Sequence, residues 1–130
     1  MEDVNLYRKP ALKKPFLIAA WPGISNVAFR AASYLRDKLE MEEFGEISPA
    51  GFFSPAAVSV SDNVVEELRF PQSKFYYWQN KGGGNDLIIF ISEAQPAQNP
   101  YELANLVLDV AQKFKAERIY TFAAAVTSHH

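Results

Sequence analysis

The sequence has no cysteine, only six glycines, and no apolar run long enough to cross a lipid bilayer. The absence of cysteine excludes disulfide bonds, thiol nucleophiles and cysteine-ligated metal sites, and it suits a cytoplasmic protein. A membrane-spanning helix needs about 20 consecutive apolar residues. Residues 1–15 also lack the apolar centre of a secretory signal. We therefore expect a soluble, cytoplasmic protein without a membrane partner.

A large excess of charge of either sign is also missing. The 13 Lys and Arg residues nearly balance the 15 Asp and Glu residues, and the formal net charge is -2. Such a balance creates no long-range field that would attract nucleic acid, so no nucleic-acid partner is predicted. The one concentration of basic residues lies in residues 1–15 and is interrupted by prolines. This segment is predicted to be a solvated, basic lead-in.

The remaining residues, 16–130, have the size and composition of a single domain with one core. Uninterrupted apolar runs predict three buried strands: FLIAA at 16–20, DLIIFIS at 86–92 and RIYTFAAAV at 118–126. Apolar residues at helical spacing predict one helix over about residues 26–40 and a second that begins after a cap at Asn99. Strands separated by long helices indicate parallel crossover connections in an α/β sheet.

Residues 45–80 have a different sequence pattern, because short stretches rich in β-branched and aromatic residues alternate with turn-forming Pro, Gly and Asn-Asp residues. We interpret them as three or four mostly antiparallel strands. The KGGGND segment at 81–86 is followed by a strand rather than a helix, so it is predicted to be a hairpin connection and not a phosphate loop. The expected fold is a mixed, mostly parallel sheet with an added antiparallel meander. Two helices are few for such a sheet, so either another copy covers the rest or the chain is the front part of a longer one.

The order of these landmarks resembles the proteasome assembly chaperone 2 family. The likeness extends over about residues 16–128, and its most specific parts are the WPGISNV junction and the FPQSKFYYW stretch. The resemblance implies a three-layer α/β/α fold similar to nucleoside phosphorylases, self-association, and a role in proteasome assembly or activation. It implies no known reaction. The chain is shorter than is usual in this family and lacks the C-terminal hydrophobic-Tyr-x tail of the proteasome-activating relatives.

A candidate ligand site lies where the parallel strands end. The junction residues Trp21, Gly23, Ser25 and Asn26 precede a helix N-terminus, which favours anions. Ligands of open α/β sheets bind beyond the carboxyl ends of the strands, where Glu93 is also expected. The junction has one glycine and no phosphate-loop Lys-Ser/Thr pair. It is therefore interpreted first as a structural turn, and ligand binding is the alternative.

The aromatic run Phe75, Tyr76, Tyr77 and Trp78 is the candidate interaction site. Alternation along a strand sends two of these side chains to each face of the sheet. One pair is expected in the core, and the other pair is expected to form an exposed patch of the kind found at subunit contacts. A purely structural role in the core and stacking against a ligand are the two alternatives.

These patterns favour a self-associating interaction protein, with a homo-oligomer and a further protein partner, over an enzyme. No catalytic residue is predicted because no Gly-x-Ser-x-Gly turn is present, and the adjacent His129 and His130 without a third ligand predict no metal site. No cofactor is expected either. The alternative hypothesis is a small-molecule enzyme that acts on nucleoside-type or carboxylate-type ligands at the strand ends.

Overall fold

The computed structural model describes residues 4–22, 27–53, 56–59 and 66–122. Eight strands and two helices occur in these ranges. In chain order they are β1 (Val4–Leu6), β2 (Phe16–Ala20), α1 (Val27–Lys38), β3 (Glu42–Ile47), β4 (Ala56–Ser59), β5 (Glu66–Arg69), β6 (Ser73–Trp78), β7 (Leu87–Ser92), α2 (Pro100–Lys113) and β8 (Arg118–Phe122). The described part is thus mixed α/β, as the sequence predicts.

Six of the strands form one sheet in the order β1-β3-β6-β7-β2-β8, and β4 pairs with β5 in a separate hairpin. The pairs β7–β2 and β2–β8 are parallel, whereas β1–β3, β3–β6 and β6–β7 are antiparallel. The expectation of a mostly parallel sheet is therefore wrong, although the antiparallel meander at one side is confirmed. The physical reason is that each parallel pair needs a long crossover, and β6 returns directly into β7 through a hairpin instead.

The predicted helix over residues 26–40 is α1, which is shorter, and the predicted strand over residues 118–126 is β8, described as far as Phe122. The remainder of that predicted strand lies outside the described residues. Asn99 precedes α2 in a left-handed conformation with φ of 51°, but it makes no side-chain capping hydrogen bond. Its Nδ2 instead donates to the carbonyl oxygen of Gly51 at 3.0 Å. Asn99 is thus the N-cap residue that the sequence predicts, but its side chain binds a neighbouring loop instead of the free N–H groups of the helix.

Strand β1 was not expected, because it lies within the segment interpreted as a lead-in. Val4 pairs with Ile47 of β3, and both Val4 and Leu6 pack against the hydrophobic core. The close approach of β1 depends on Gly45, since a Cβ atom there would lie 2.6 Å from Leu6 Cδ2 and 3.1 Å from the Asn5 carbonyl oxygen. Residues 4–6 therefore form an edge of the sheet.

The two helices pack against opposite faces of the sheet. On one face, α2 contributes buried side chains to a core that includes Leu103, Val107, Val110, Leu17, Phe75, Ile88 and Phe90. On the other face, α1 contributes Ala32 and the partly buried Phe29 to a smaller core with Ala20, Ile89 and Ile91. Consecutive residues of β7 alternate between these two cores, as the pleat of a strand requires.

Asp86 connects the β6–β7 hairpin to the segment that enters β2. Its Oδ1 accepts a hydrogen bond from the backbone N–H of Asn80, and its Oδ2 accepts one from the backbone N–H of Lys13, both at 2.7 Å. The residue is 6% exposed, so both bonds are largely shielded from water. The KGGGND segment is thus a hairpin held by its aspartate, which confirms the predicted hairpin connection.

We predict that Asp86→Ala lowers the free energy of unfolding by about 1–3 kcal/mol, because it leaves two shielded N–H groups without an acceptor. Asp86→Asn should lower the free energy of unfolding by an intermediate amount, because the single oxygen of its amide can still accept one of the two hydrogen bonds. Urea denaturation followed by circular dichroism measures both effects. Asp109→Ala, at an exposed position of α2, is the matched control and should change the stability by less than about 0.5 kcal/mol. Equal stability of the two alanine variants would contradict the role of Asp86.

Candidate functional site

The strand-end edge brings together the two segments that the sequence predicts there. Trp21 follows β2 and Glu93 follows β7, and these strands are paired in parallel up to Ala20 and Ile91. The Nε2 atom of Gln95 donates to the carbonyl oxygen of Pro22 at 2.7 Å, which joins the segments directly. Three other predicted residues of this site, Gly23, Ser25 and Asn26, lie outside the described residues.

Trp21 and Glu93 share this edge but lie on opposite sides of the sheet. The indole of Trp21 packs against Phe90 with ring centroids 5.4 Å apart, on the α2 side. The Trp21 Nε1 atom is buried and has no hydrogen-bond acceptor among the described residues. Glu93 instead borders a small cavity on the α1 side, together with Phe29 and Tyr76. The two side chains therefore do not converge on a single ligand position.

The Glu93 carboxylate orders the backbone where β6 begins. Its Oε1 accepts a hydrogen bond from the Gln72 backbone N–H at 2.7 Å, and the Glu93 N–H donates to the Gln72 carbonyl oxygen at 2.9 Å. The cavity beside it has a volume of about 60 Å³, which is room for a few water-sized groups. A nucleoside would not fit within it.

Arg36 also lines this cavity and is held against β6. Its guanidinium carbon is 5.0 Å from the ring centroid of Tyr76, and its Nη1 donates to the Tyr76 hydroxyl at 3.3 Å. Partial burial disfavours the charge, but hydrogen bonds to Asp37 and Tyr76 and the attraction of both groups outweigh it and raise the pKa of Arg36. The cation therefore stays charged while it stacks on an aromatic ring.

The aromatic strand alternates between the two faces as predicted. Phe75 is fully buried and contacts Phe90 and Phe44, with centroid separations of 4.8 Å and 6.0 Å. Tyr77 packs edge-on against Phe44 on the same α2 side. Tyr76 packs against the α1-side core, and Trp78 shares that side by alternation. Tyr76 and Trp78 are both only half-buried.

Tyr76 and Trp78 belong to a larger surface on the α1 side of β1, β3 and β6, which we name the outer face. The strand register places its members side by side: Asn5, Tyr7, Glu43, Glu46, Lys74, Tyr76 and Trp78. Each is partly or fully exposed. Helix α1 packs mainly over β2 and β7, and it reaches β6 through Arg36, which stacks on Tyr76. The outer face is therefore an open sheet surface with aromatic and charged side chains.

Glu43 holds the side chains of the outer face in fixed positions. Its Oε2 accepts a hydrogen bond from the Tyr7 hydroxyl at 2.6 Å, and its Oε1 lies 3.2 Å from Lys74 Nζ. On the α2 side of the same strands, Glu42 accepts from the Tyr77 hydroxyl at 2.6 Å and pairs with Arg8 at 2.9 Å. Exposed ion pairs of this kind add little stability. They do fix side-chain conformations, which lowers the entropy lost when a surface binds.

The same contacts shift two tyrosine pKa values. Burial and the hydrogen bond to the Glu43 carboxylate raise the pKa of Tyr7 well above its usual value. The hydrogen bond to Glu42 likewise raises the pKa of Tyr77, and the nearby Arg8 opposes this shift. In both cases the neutral phenol is the form that the folded protein favours.

We predict that the protein loses stability above about pH 10 in part through Tyr7. Its folded-state pKa lies above the unfolded value, so its contribution is complete below that pH and declines as the pH rises. Tyr7→Phe should therefore show a smaller alkaline loss of unfolding free energy, with a remainder from Tyr77. In Glu43→Gln, a titration followed by phenolate absorbance should show one tyrosine whose pKa is closer to the ordinary value. If the unfolding free energy of Tyr7→Phe fell with alkaline pH as steeply as that of the unmodified protein, this assignment would be contradicted.

Sequence reasoning missed Tyr7, Glu43 and Lys74 as members of one surface. The available signal was the stretch VNLY at residues 4–7, in which apolar and polar side chains alternate with the period of a strand. The basic residues that follow it led to the interpretation as a lead-in.

Two further kinds of feature are absent from the described ranges. No group of three or more histidine, aspartate or glutamate side chains there is arranged to hold a metal ion. Neither α1 nor α2, the helices of the described ranges, has the length and apolar character of a membrane-spanning segment.

The described fold thus defines a mixed α/β protein with one helix on each side of its sheet and one open sheet surface. The sequence model of the PAC2 family matches residues 17–130, and the chain therefore belongs to the PAC2 family. Comparison with curated proteins gave no match.

Several solved structures resemble this fold. Pyrococcus furiosus PbaB, an archaeal proteasome activator, matches 91% of this chain with 30% identity and a TM-score of 0.74. Pyrococcus furiosus PbaA, an archaeal homolog of proteasome-assembly chaperone, matches 98% with 24% identity and a TM-score of 0.64. A Mycobacterium tuberculosis proteasome-assembly chaperone homologue matches 82% with 18% identity and a TM-score of 0.66. The chain spans about half of each, 49%, 48% and 48% respectively.

Proposed function

We propose that this chain is a non-enzymatic, self-associating interaction protein of the proteasome-assembly type, and that the outer face is its contact surface. Membership of the PAC2 family and the similarity to PbaB support a protein-interaction role. The packing of one helix on each side of the sheet supports the three-layer, nucleoside-phosphorylase-like arrangement that the resemblance implies. Cytoplasmic location is part of the same proposal.

The observation that carries this proposal is the composition of the outer face. It presents Tyr7, Tyr76 and Trp78 together with Arg36, and aromatic residues and arginine are the types enriched at protein interfaces. Glu43 and Lys74 offset each other at its centre. Such a surface has no strong net field, so it suits a protein partner of mixed polarity rather than a polyanion.

The concavity beside the outer face also favours a protein partner. An open depression of about 470 Å³ lies at the end of β6, and its lining includes Trp78, Leu39 and Glu40. Sites for small molecules bury most of the ligand surface, whereas this depression is open to solvent. It is suited to receive one or two side chains of a partner that lies across the sheet.

We predict that Trp78→Ala weakens self-association by at least about tenfold, as truncation of an aromatic interface anchor commonly does. Sedimentation velocity over a range of protein concentrations measures this effect, and circular dichroism checks that the fold is retained. The matched control is Tyr101→Ala, because Tyr101 is 85% exposed but belongs to α2 on the opposite side of the sheet. Unchanged association of a folded Trp78→Ala variant would contradict the proposed surface.

The partner is tested with the same two variants. Native mass spectrometry of the chain mixed with its cognate proteasome subunits should show a complex for the unmodified protein and for Tyr101→Ala, and a weaker one for Trp78→Ala. An oligomer that forms normally but binds no proteasome subunit would contradict the assigned partner and leave self-association standing.

A small-molecule enzyme is the second candidate, and the buried Trp21 Nε1 without an acceptor in the described part of the chain is the observation that favours it. A ligand carboxylate or carbonyl could accept that hydrogen bond. The proposed function predicts that nucleosides, nucleotides and small carboxylates leave the melting temperature unchanged. A reproducible rise that Trp21→Phe abolishes would favour the enzyme instead, since phenylalanine keeps the packing on Phe90 and removes the donor.

A further inference from the structure

Three segments of the chain meet where the parallel strands begin. The register places the starts of β2, β7 and β8 side by side. The segments that lead into these strands, residues 9–15, 82–86 and 113–118, therefore lie along one end of the sheet. We name this end the basic rim.

Hydrogen bonds hold the three segments of the basic rim together. The Nδ2 atom of Asn85 donates to the carbonyl oxygen of Lys14 and to Glu117 Oε2, both at 2.7 Å. The backbone N–H of Glu117 donates to the Pro15 carbonyl oxygen at 2.8 Å. The contacts of Asp86 add a further link between the first two segments. The side chains of the rim therefore project from a backbone that the fold itself fixes.

The basic rim concentrates positive charge, which the nearly neutral composition of the whole chain conceals. Its segments contain six of the 13 Lys and Arg residues but only two of the 15 Asp and Glu residues, so the rim has a formal charge of +4 and the remainder has -6. One of the two carboxylates, Asp86, already accepts two backbone hydrogen bonds. All six cations are exposed, and within the described ranges none of them forms an ion pair: Lys9, Lys13, Lys14, Lys113, Lys115 and Arg118.

A cavity of about 240 Å³ opens at the basic rim. Lys13, Lys14 and Glu117 line it together with the hairpin glycines Gly83 and Gly84. Apart from the chain neighbours of Gly83, no heavy atom lies within 4 Å of the position that a Cβ atom would take there, so the hairpin backbone is accessible. Two ammonium groups against one carboxylate favour an anionic ligand group, and a carboxylate bound to a cation makes strong hydrogen bonds.

A second cavity, of about 230 Å³, combines positive charge with an apolar lining. It lies between Lys9 and Lys113, and Val4 and Leu6 line it as well. A purely anionic ligand would leave this apolar surface uncovered. The cavity is instead suited to an apolar side chain that has carboxylates beside it.

The two cavities are close enough for one peptide segment to reach both. Lys113 lines the second cavity and Glu117 lines the first. These residues are four positions apart, so at most about 14 Å separates their Cα atoms. Four or five residues of an extended peptide span that distance.

A nucleic acid matches the basic rim less well than a peptide does. Single strands bind by stacking their bases on exposed aromatic side chains. The one aromatic residue in the segments of the rim, Phe114, packs edge-on against Phe44 in the core instead. A sugar-phosphate backbone also has no apolar side chain for the cavity over Val4 and Leu6.

We propose that the basic rim is a second interaction surface, which binds an acidic segment of a protein partner. Carboxylates of this segment pair with Lys13 and Lys14 in one cavity and with Lys9 and Lys113 beside the other. An apolar side chain between the carboxylates enters the second cavity. The basic rim shares no residue with the outer face, so this proposal goes beyond the proposed function and does not depend on it.

Fluorescence anisotropy of labelled peptides tests the proposal. We expect the peptide EEDLEED to bind with an affinity that falls as the salt concentration rises, and its uncharged analogue QQNLQQN to show no binding. Lys13→Glu combined with Lys14→Glu should weaken binding of EEDLEED at least about tenfold, because two attractions become repulsions. Arg30→Glu combined with Lys38→Glu is the matched control, since it changes the net charge equally at exposed positions of α1. It should weaken binding by less than about twofold.

Two further comparisons test the second cavity and the independence from the outer face. The peptide EEDSEED, which lacks the apolar side chain, should bind at least about fivefold more weakly than EEDLEED. Trp78→Ala should bind EEDLEED as tightly as the unmodified protein does, whatever its effect on self-association. Circular dichroism checks that each variant is folded. If the glutamate variants do not fold, the same pairs of positions are compared as glutamine variants, which remove the positive charges without adding negative ones.

Four results would overturn the proposal. The first is no salt-sensitive binding of EEDLEED, and the second is an equal loss of binding in the rim variant and the α1 control. The third is equally tight binding of EEDSEED and EEDLEED, which would leave the second cavity without a role. The fourth is tighter binding of single-stranded oligouridine than of EEDLEED at the same salt concentration, which would assign the basic rim to nucleic acid.

Discussion

The antiparallel pairing of β6 with β7 is the contact on which the rest of the structure depends. It places Phe75 opposite Phe90, with ring centroids 4.8 Å apart, at the centre of the α2-side core. The same pairing fixes which side of the sheet each following residue occupies, because side chains alternate along a strand. A slip of one residue would bury Tyr76 and expose Phe75. The register of β6 against β7 therefore determines both which side chains enter the core and which lie on the outer face.

The unequal reach of the helices explains where the open surfaces lie. Helix α1 packs mainly over β2 and β7 and reaches β6 at Tyr76, so the α1 side of β1 and β3 and part of that of β6 stay open. On the other side of the sheet, α2 and Phe114 pack over Phe44 and Phe75. At β8 both sides are incompletely covered. Within the described residues, a sheet of this width with two helices therefore leaves one polar-aromatic face and one apolar edge incompletely covered.

The sequence was sufficient for the elements that have a strong local signal. FLIAA and DLIIFIS are continuous apolar runs, and both are buried strands in parallel register. Strand β1 was missed because the basic residues after it decided the interpretation of residues 1–15, and its pairing depends on Gly45, which is distant in sequence. The separation of Trp21 from Glu93 was equally inaccessible, since it requires the register of β2 against β7. Strand β1 and the placement of Trp21 and Glu93 on opposite sides both depend on the pairing of strands that are distant in sequence, which local propensity does not indicate.

Hydroxyl-radical footprinting of side chains, over the protein concentrations at which the chain self-associates, shows whether the outer face is a protein contact. We expect oxidation of Trp78 and Tyr76 to fall as the protein associates, while oxidation of Tyr101, exposed on α2, stays constant. Constant oxidation of Trp78 and Tyr76 in an associated sample would show that the contact lies elsewhere.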